Sequence, residues 1–83
     1  MTLKVELVSP TERVWSGEAT SVSARTIEGD IGVLPGHAPL LGVLVDGQVS
    51  IKVADGTTQD FNIHGGFISV SNNRVSILGE STD

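Results

Sequence analysis

Gly29-Asp30-Ile31-Gly32-Val33-Leu34-Pro35-Gly36-His37-Ala38-Pro39-Leu40-Leu41 is the stretch that decides how this chain folds. Two glycines bracket an apolar stub, and two prolines with a Gly-His pair between them follow at once. Pro35 and Pro39 lack a backbone donor and drive Leu34 and Ala38 into extended geometry, so no helix can run through the segment. It reads as a tight bend, a short strand, a rigid projecting loop and the start of another strand.

The same grammar continues on both sides. Leu3, Val5 and Leu7 alternate with Lys4 and Glu6, a period of two with one buried face. Val49, Ile51 and Val53 alternate with Gln48, Ser50 and Lys52, Phe61 and Ile63 with Asp60 and Asn62, and Val75 and Ile77 with Arg74 and Ser76. Residues 13–18 and 20–27 are rich in strand formers, and Gly17 suggests a bend or bulge between them. Residues 40–45 are almost wholly apolar, so this strand should be covered on both faces, or on one face by a partner. Asp46-Gly47 and Asp55-Gly56 signal hairpin turns, and Asn72-Asn73 tolerates the same left-handed conformations. Gly65-Gly66 permits a sharp reversal or a close backbone approach. About ten strands punctuated in this way make an all-β antiparallel sandwich or flattened barrel. Residues 1–83 are expected to form one domain, with residues 79–83 as a polar tail.

Bulk properties exclude several classes. The 83 residues include no cysteine, so no disulfide or thiolate metal site reinforces the fold. No apolar run approaches the ~20 residues of a membrane span, and no basic, apolar and cleavable series opens the sequence. The chain is expected to be cytosolic, or held at a membrane by a partner. With a net charge of −5 and only Lys4, Arg13, Arg25, Lys52 and Arg74 as cations, no basic stripe is available for nucleic acid.

Reactive constellations are also missing. His37 and His64 are the only histidines, and the 26 residues between them match no metal spacing. No nucleophile elbow surrounds any of the serines. Gly29, Gly32 and Gly36 lack the Gly-Lys-Ser/Thr and following helix of a phosphate loop, and Glu28 and Asp30 would repel phosphate. No catalytic residue, metal or cofactor is expected. Trp15 suits either core filling or a sheet margin against a partner, where Trp is energetically favoured.

Taken in order, the segments resemble the N-terminal domain of the epsilon subunit of F-type ATP synthase. Leu3-Lys4-Val5-Glu6-Leu7-Val8-Ser9-Pro10 is similar to that family's first strand, and Val14-Trp15-Ser16-Gly17 stands where it carries an apolar or aromatic residue before Ser-Gly. Glu28 followed by the opening stretch matches the family's most specific motif nearly position by position. Gly65-Gly66-Phe67-Ile68-Ser69-Val70 and Asn73-Arg74-Val75-Ser76-Ile77-Leu78 are similar to its closing strands.

The resemblance implies a ten-stranded β-sandwich that is a non-catalytic rotor part. Such a subunit grips the gamma subunit and rests on the ring of c subunits, so that proton-driven rotation reaches the catalytic head. It implies a c-ring-facing interface at Glu28, Gly29, Asp30, His37, Ala38 and Pro39, with acidic turn and proline loop together at one end. The carboxylates would pair with basic loops of the ring, and the prolines would stiffen the contact. The apolarity of residues 40–45 places Trp15, Leu40, Leu41 and Val43 on the gamma-facing side. Membrane association would be indirect, through the complex, on the cytoplasmic face of a bacterial plasma membrane rather than in a plastid or other organelle. Most bacterial members continue into two C-terminal helices that can inhibit hydrolysis. This sequence stops at Asp83, so none of that hairpin's regulation is carried over, and residues 79–83 are expected to be too short to reach the head. A free-standing sandwich module for peptide or carbohydrate is the alternative. It explains the fold but not the loop, and a carbohydrate reader would present more aromatics than Trp15, Phe61 and Phe67.

Overall fold

The computed structural model describes residues 2–80. It contains nine strands: β1 (Leu3–Val8), β2 (Arg13–Ala19), β3 (Ser21–Thr26), β4 (Gly29–Val33), β5 (Leu40–Leu44), β6 (Gly47–Lys52), β7 (Thr58–Ile63), β8 (Gly66–Ser71) and β9 (Arg74–Gly79). The all-β expectation holds, with nine strands in place of about ten among the described residues. Gly79, expected in the tail, closes β9, and Glu80 is held by a bond from its N–H to Gly65 O. The rest of the expected tail, residues 81–83, lies outside the described residues.

Hydrogen bonds connect the strands in the order β2-β1-β9-β8-β5-β3-β6-β7, with β4 on the other edge of β3. Every pairing is antiparallel except β1 with β9, which run parallel from Lys4 opposite Arg74 to Val8 opposite Leu78. The sheet turns its corner at β3. Ser21, Val22 and Ser23 pair with β6, whereas Thr26 pairs with Leu44 of β5. The path therefore folds over into two layers, β2-β1-β9-β8-β5 and β4-β3-β6-β7.

Between the layers lies a wholly aliphatic core. Leu3, Leu7, Val22, Val33, Val49, Ile51, Ile63, Ile68, Val70, Val75 and Ile77 are all fully buried. Each removes an apolar side chain from water, a gain of about 1.5–3 kcal/mol before entropy is counted. Trp15 on β2 and Phe61 on β7 sit on the two edge strands of the path, half-buried against this core.

The turns resolve the glycine signals individually. Gly56 has φ +92 and donates to Val53 O at 3.0 Å, while Val53 N–H donates to Thr57 O, so Asp55-Gly56 closes the β6–β7 hairpin as expected. Thr57 hydrogen bonds hold the Asp55 carboxyl below its usual value. Its support of the turn is complete at neutral pH and is lost as pH falls through that lowered value. Asn72 and Asn73, at φ 50 and 60, form the tight β8–β9 turn. Asp46-Gly47 is not a hairpin, because β5 pairs with β8 and β3 while β6 pairs with β3 and β7. It is the corner where the chain passes from one layer to the other. Nor does Gly17 mark a bulge; the register shifts between Leu7 and Val8 instead. Gly17 underlies the Trp15 ring, where a Cβ would come within 3.1 Å of the indole.

Gly66 is the tightest point. At φ +132, a Cβ there would lie 1.9 Å from the Leu78 carbonyl oxygen, so β8 and β9 approach as only glycine allows. Replacing Gly66 by Ala should cost about 3–4 kcal/mol, because backbone rather than a side chain must move. Gly32 has open space around it and no left-handed φ, so Gly32→Ala should shift stability by less than about 0.5 kcal/mol. Urea unfolding of the two variants measures the difference.

Candidate functional site

Alternation sorts β5, β8 and β9 into two faces. Leu40 opposite Val70, Gly42 opposite Ile68 and Leu44 opposite Gly66 point toward the core. Leu41 opposite Ser69, and Val43 opposite Phe67, point outward, and Phe67 continues the row to Leu78 on β9. Leu41 is 76% exposed, Phe67 48%, Leu78 45% and Val43 41%. Ile27, 66% exposed, joins them because its N–H donates to Val43 O at 3.0 Å. These side chains make one apolar patch on the outside of the first layer. Contiguous exposure of this kind makes the patch a candidate partner surface.

Of the residues expected to face gamma, Leu41 and Val43 belong to this patch. Leu40 is half-buried on the inner side. Trp15 stands opposite the buried Leu7, at the far edge of the layer, with β1, β9 and β8 between its strand and β5. Its ring covers Gly17 and the core margin, so it does not share a surface with Leu41 and Val43. Ile27, Phe67 and Leu78 were missed. For Phe67 and Leu78 a signal was present: in 66–70 and 75–79, apolar residues occupy both phases of the period-two pattern.

The second group of expected residues is built from two elements. In the β3–β4 turn, Thr26 Oγ1 accepts from Glu28 N–H at 3.1 Å and donates to Gly29 O at 2.9 Å. Gly29 has φ +120, and Asp30 pairs with the Arg25 guanidinium at 3.0 Å on the exposed face. In the loop, His37 N–H donates to Leu34 O at 3.1 Å. With Pro35 at the second position and Gly36 at φ +87 in the third, residues 34–37 form a type II turn. His37 Nδ1 lies 2.6 Å from Ala38 O, which turns the ring back along the loop. Gly36 N–H donates to Asn73 Oδ1 at 2.7 Å.

These two elements do not meet at one tip. Gly29 lies opposite Thr26 and Val33 opposite Val22, so turn and loop are at opposite ends of β4. At ~3.3 Å per residue the separation is about 13 Å. What joins them is the outer edge of β4, which pairs only with β3 among the described residues. Glu28, Gly29, Asp30, His37, Ala38 and Pro39 therefore flank one open strand edge.

Elsewhere, a shallow depression of about 410 Å³ is lined by Ser23, Ala24, Arg25, Asp30, Gln48 and Ser50. Its charged pair is Arg25 with Asp30, and Ser50 Oγ is committed to Asp60 at 2.7 Å. His64 Nδ1 lies 3.9 Å from Asp46, beyond the strand end opposite Gly47. No group of His, Asp and Glu among the described residues has the arrangement of a metal site.

Comparison with known proteins agrees along the whole chain. The family described as "ATP synthase, Delta/Epsilon chain, beta-sandwich domain" matches residues 2–82. The ATP synthase epsilon chain of Streptomyces avermitilis is 59% identical over 78 residues, which make up 94% of this chain and 63% of the relative. The epsilon chain of Micrococcus luteus is 52% identical over 79 residues, 95% of this chain and 87% of the relative. A chain in the cryo-EM structure of the Euglena gracilis mitochondrial ATP synthase (OSCP, F1 and c-ring) superposes with a TM-score of 0.93 at 25% identity. That match covers 99% of this chain and 52% of the Euglena one. This chain thus spans under two thirds of the length of the Streptomyces relative.

Because the outer patch contributes nothing to the core, removing its apolarity should leave the fold intact. A Leu41→Ser, Phe67→Ser double variant should unfold within about 1 kcal/mol of the parent and bind less of an apolar dye. A loss of stability well beyond that margin with unchanged dye binding would place these side chains inside the fold.

Proposed function

The chain belongs to the family of ATP synthase delta/epsilon β-sandwich domains, and on that premise we propose that it is part of a non-catalytic central-stalk subunit. In this reading it links the gamma subunit to the c ring of a proton-translocating F-type ATP synthase. It transmits torque and performs no bond chemistry of its own. The observation that carries the proposal is the apolar outer face of β5, β8 and β9, which a freely soluble sandwich has no reason to keep. That face receives gamma, with Leu41 and Phe67 as central anchors and Glu28 near its rim beside Ile27.

The open edge of β4 and its flanking elements face the ring. Bare strand edges pair with other chains unless charge or geometry prevents it, and Glu28 and Asp30 guard this one. Held at one end by a Thr26-capped turn and at the other by a type II proline turn, the edge meets the ring without first losing backbone freedom. The carboxylates set orientation more than affinity, since exposed ion pairs are worth about 0.2–1 kcal/mol each. Membrane association follows from the complex, on the cytoplasmic face of a bacterial plasma membrane.

Leu41→Asp should lower affinity for purified gamma at least about 30-fold, the scale of an interface anchor, with the circular dichroism spectrum unchanged. Equal affinity would remove the apolar face as the gamma site. Separately, a Glu28→Lys, Asp30→Lys chain should bind gamma normally but attach to the c ring several-fold more weakly. If it couples proton flow to synthesis as well as the parent, charge plays no part in ring attachment.

A further inference from the structure

We infer that Asn73 is the positioning residue of the His37-Ala38-Pro39 loop, fixing its direction from a hairpin remote in sequence. The inference rests on the ring-facing reading of that loop. The type II turn at 34–37 uses His37 N–H to close on Leu34 O, and Pro35 has no N–H to offer. Gly36 N–H is the donor left over within the turn. Asn73 Oδ1 takes it at 2.7 Å, a bond that spans 37 positions of sequence.

The residue type at 73 answers two demands at once. The β8–β9 turn needs positive φ there, and Asn73 sits at +60. Among side chains that tolerate this conformation, only Asn and Asp also carry a carbonyl oxygen on a short stem. Glycine would keep the turn and lose the acceptor. Asn73 is half-buried, and its backbone carbonyl also accepts from Lys4 N–H at 2.8 Å. One residue therefore joins the start of β1, the β8–β9 turn and the proline loop.

This arrangement carries load. Without the Asn73 bond, residues 34–39 would lose a hydrogen-bonded tether beyond their chain connections to β4 and β5, and the type II turn could rotate more freely about its two ends. With it, force applied at His37, Ala38 or Pro39 passes into the β1, β8 and β9 layer. That is the layer whose outer face carries the apolar patch, so the loop and the patch are referred to the same rigid frame.

Three chains test the assignment: the parent, Asn73→Gly, which keeps the turn but has no acceptor, and Asn73→Asp, which keeps both. By NMR of the 83-residue protein, hydrogen exchange at Gly36 N–H should accelerate about tenfold or more in Asn73→Gly. It should return to within about twofold of the parent in Asn73→Asp, the rescue that a purely structural defect would not show. Exchange in β8 and β9 should stay unchanged in all three. Ring attachment of the assembled stalk should fall in Asn73→Gly and recover in Asn73→Asp, with gamma affinity constant. Unaltered Gly36 exchange in Asn73→Gly would overturn the inference. Altered and rescued exchange with constant ring attachment would uphold Asn73 as the loop's anchor and refute the ring-facing reading instead.

Discussion

The register of β8 between β5 and β9 is the constraint on which the other features depend. At its first residue the backbone of β8 comes so near the Leu78 carbonyl that any side chain larger than hydrogen is excluded. A slip of β8 by one residue would send Ile68 and Val70 outward and bring Phe67 and Ser69 in. Neither the aliphatic core nor the apolar exterior would survive. The same contact that makes the domain foldable decides which residues are available to a partner.

Interior and exterior are thus two products of one alternation. The interior is small and built mainly of aliphatic side chains, and its closure at the edges falls to Trp15 and Phe61. The exterior divides its work between a face and an edge. The face is apolar and broad, suited to a permanent partner. The edge of β4 is polar, narrow and braced at both ends, suited to contact with a repeating surface. Both are set in strands and hydrogen-bonded turns before any partner arrives, and the proposed stalk role requires that, because slack in such a part would appear as lost angle.

Much of this was legible from residue order. The alternation in β1, β6, β7 and β9, the Asn72-Asn73 turn, the glycine pair at 65–66 and the loop character of 34–39 could all be read directly. What failed did so for spatial reasons. Asp46-Gly47 announces a change of direction without saying which strands lie on either side, and here it links two layers. Glu28 and His37 are near in sequence, but strand β4 runs between the turn that carries one and the loop that carries the other. Trp15 is amphipathic enough for core margin or interface, and only its opposition to Leu7 across the strands turns it toward the core. Phe67 and Leu78 were masked by buried neighbours, since each stands directly beside a core isoleucine, Ile68 or Ile77, in the outer phase of its strand.

The parallel pairing of β1 with β9 bears on how the domain is made. All of residues 9–73 lie between the two strands, so this ladder closes the longest loop the fold contains. Loop closure of that kind is reached late and slowly compared with the β6–β7 or β8–β9 hairpins. During synthesis β1 emerges first, and its inner row of Leu3, Val5 and Leu7 must wait for β9 to be translated. For that interval its only available strand neighbour is β2, and an aliphatic two-stranded ribbon is prone to aberrant pairing. Lys4 and Glu6 on its outward side, and the Arg13–Glu6 ion pair at 3.1 Å, keep that early ribbon charged and soluble until its last neighbour arrives.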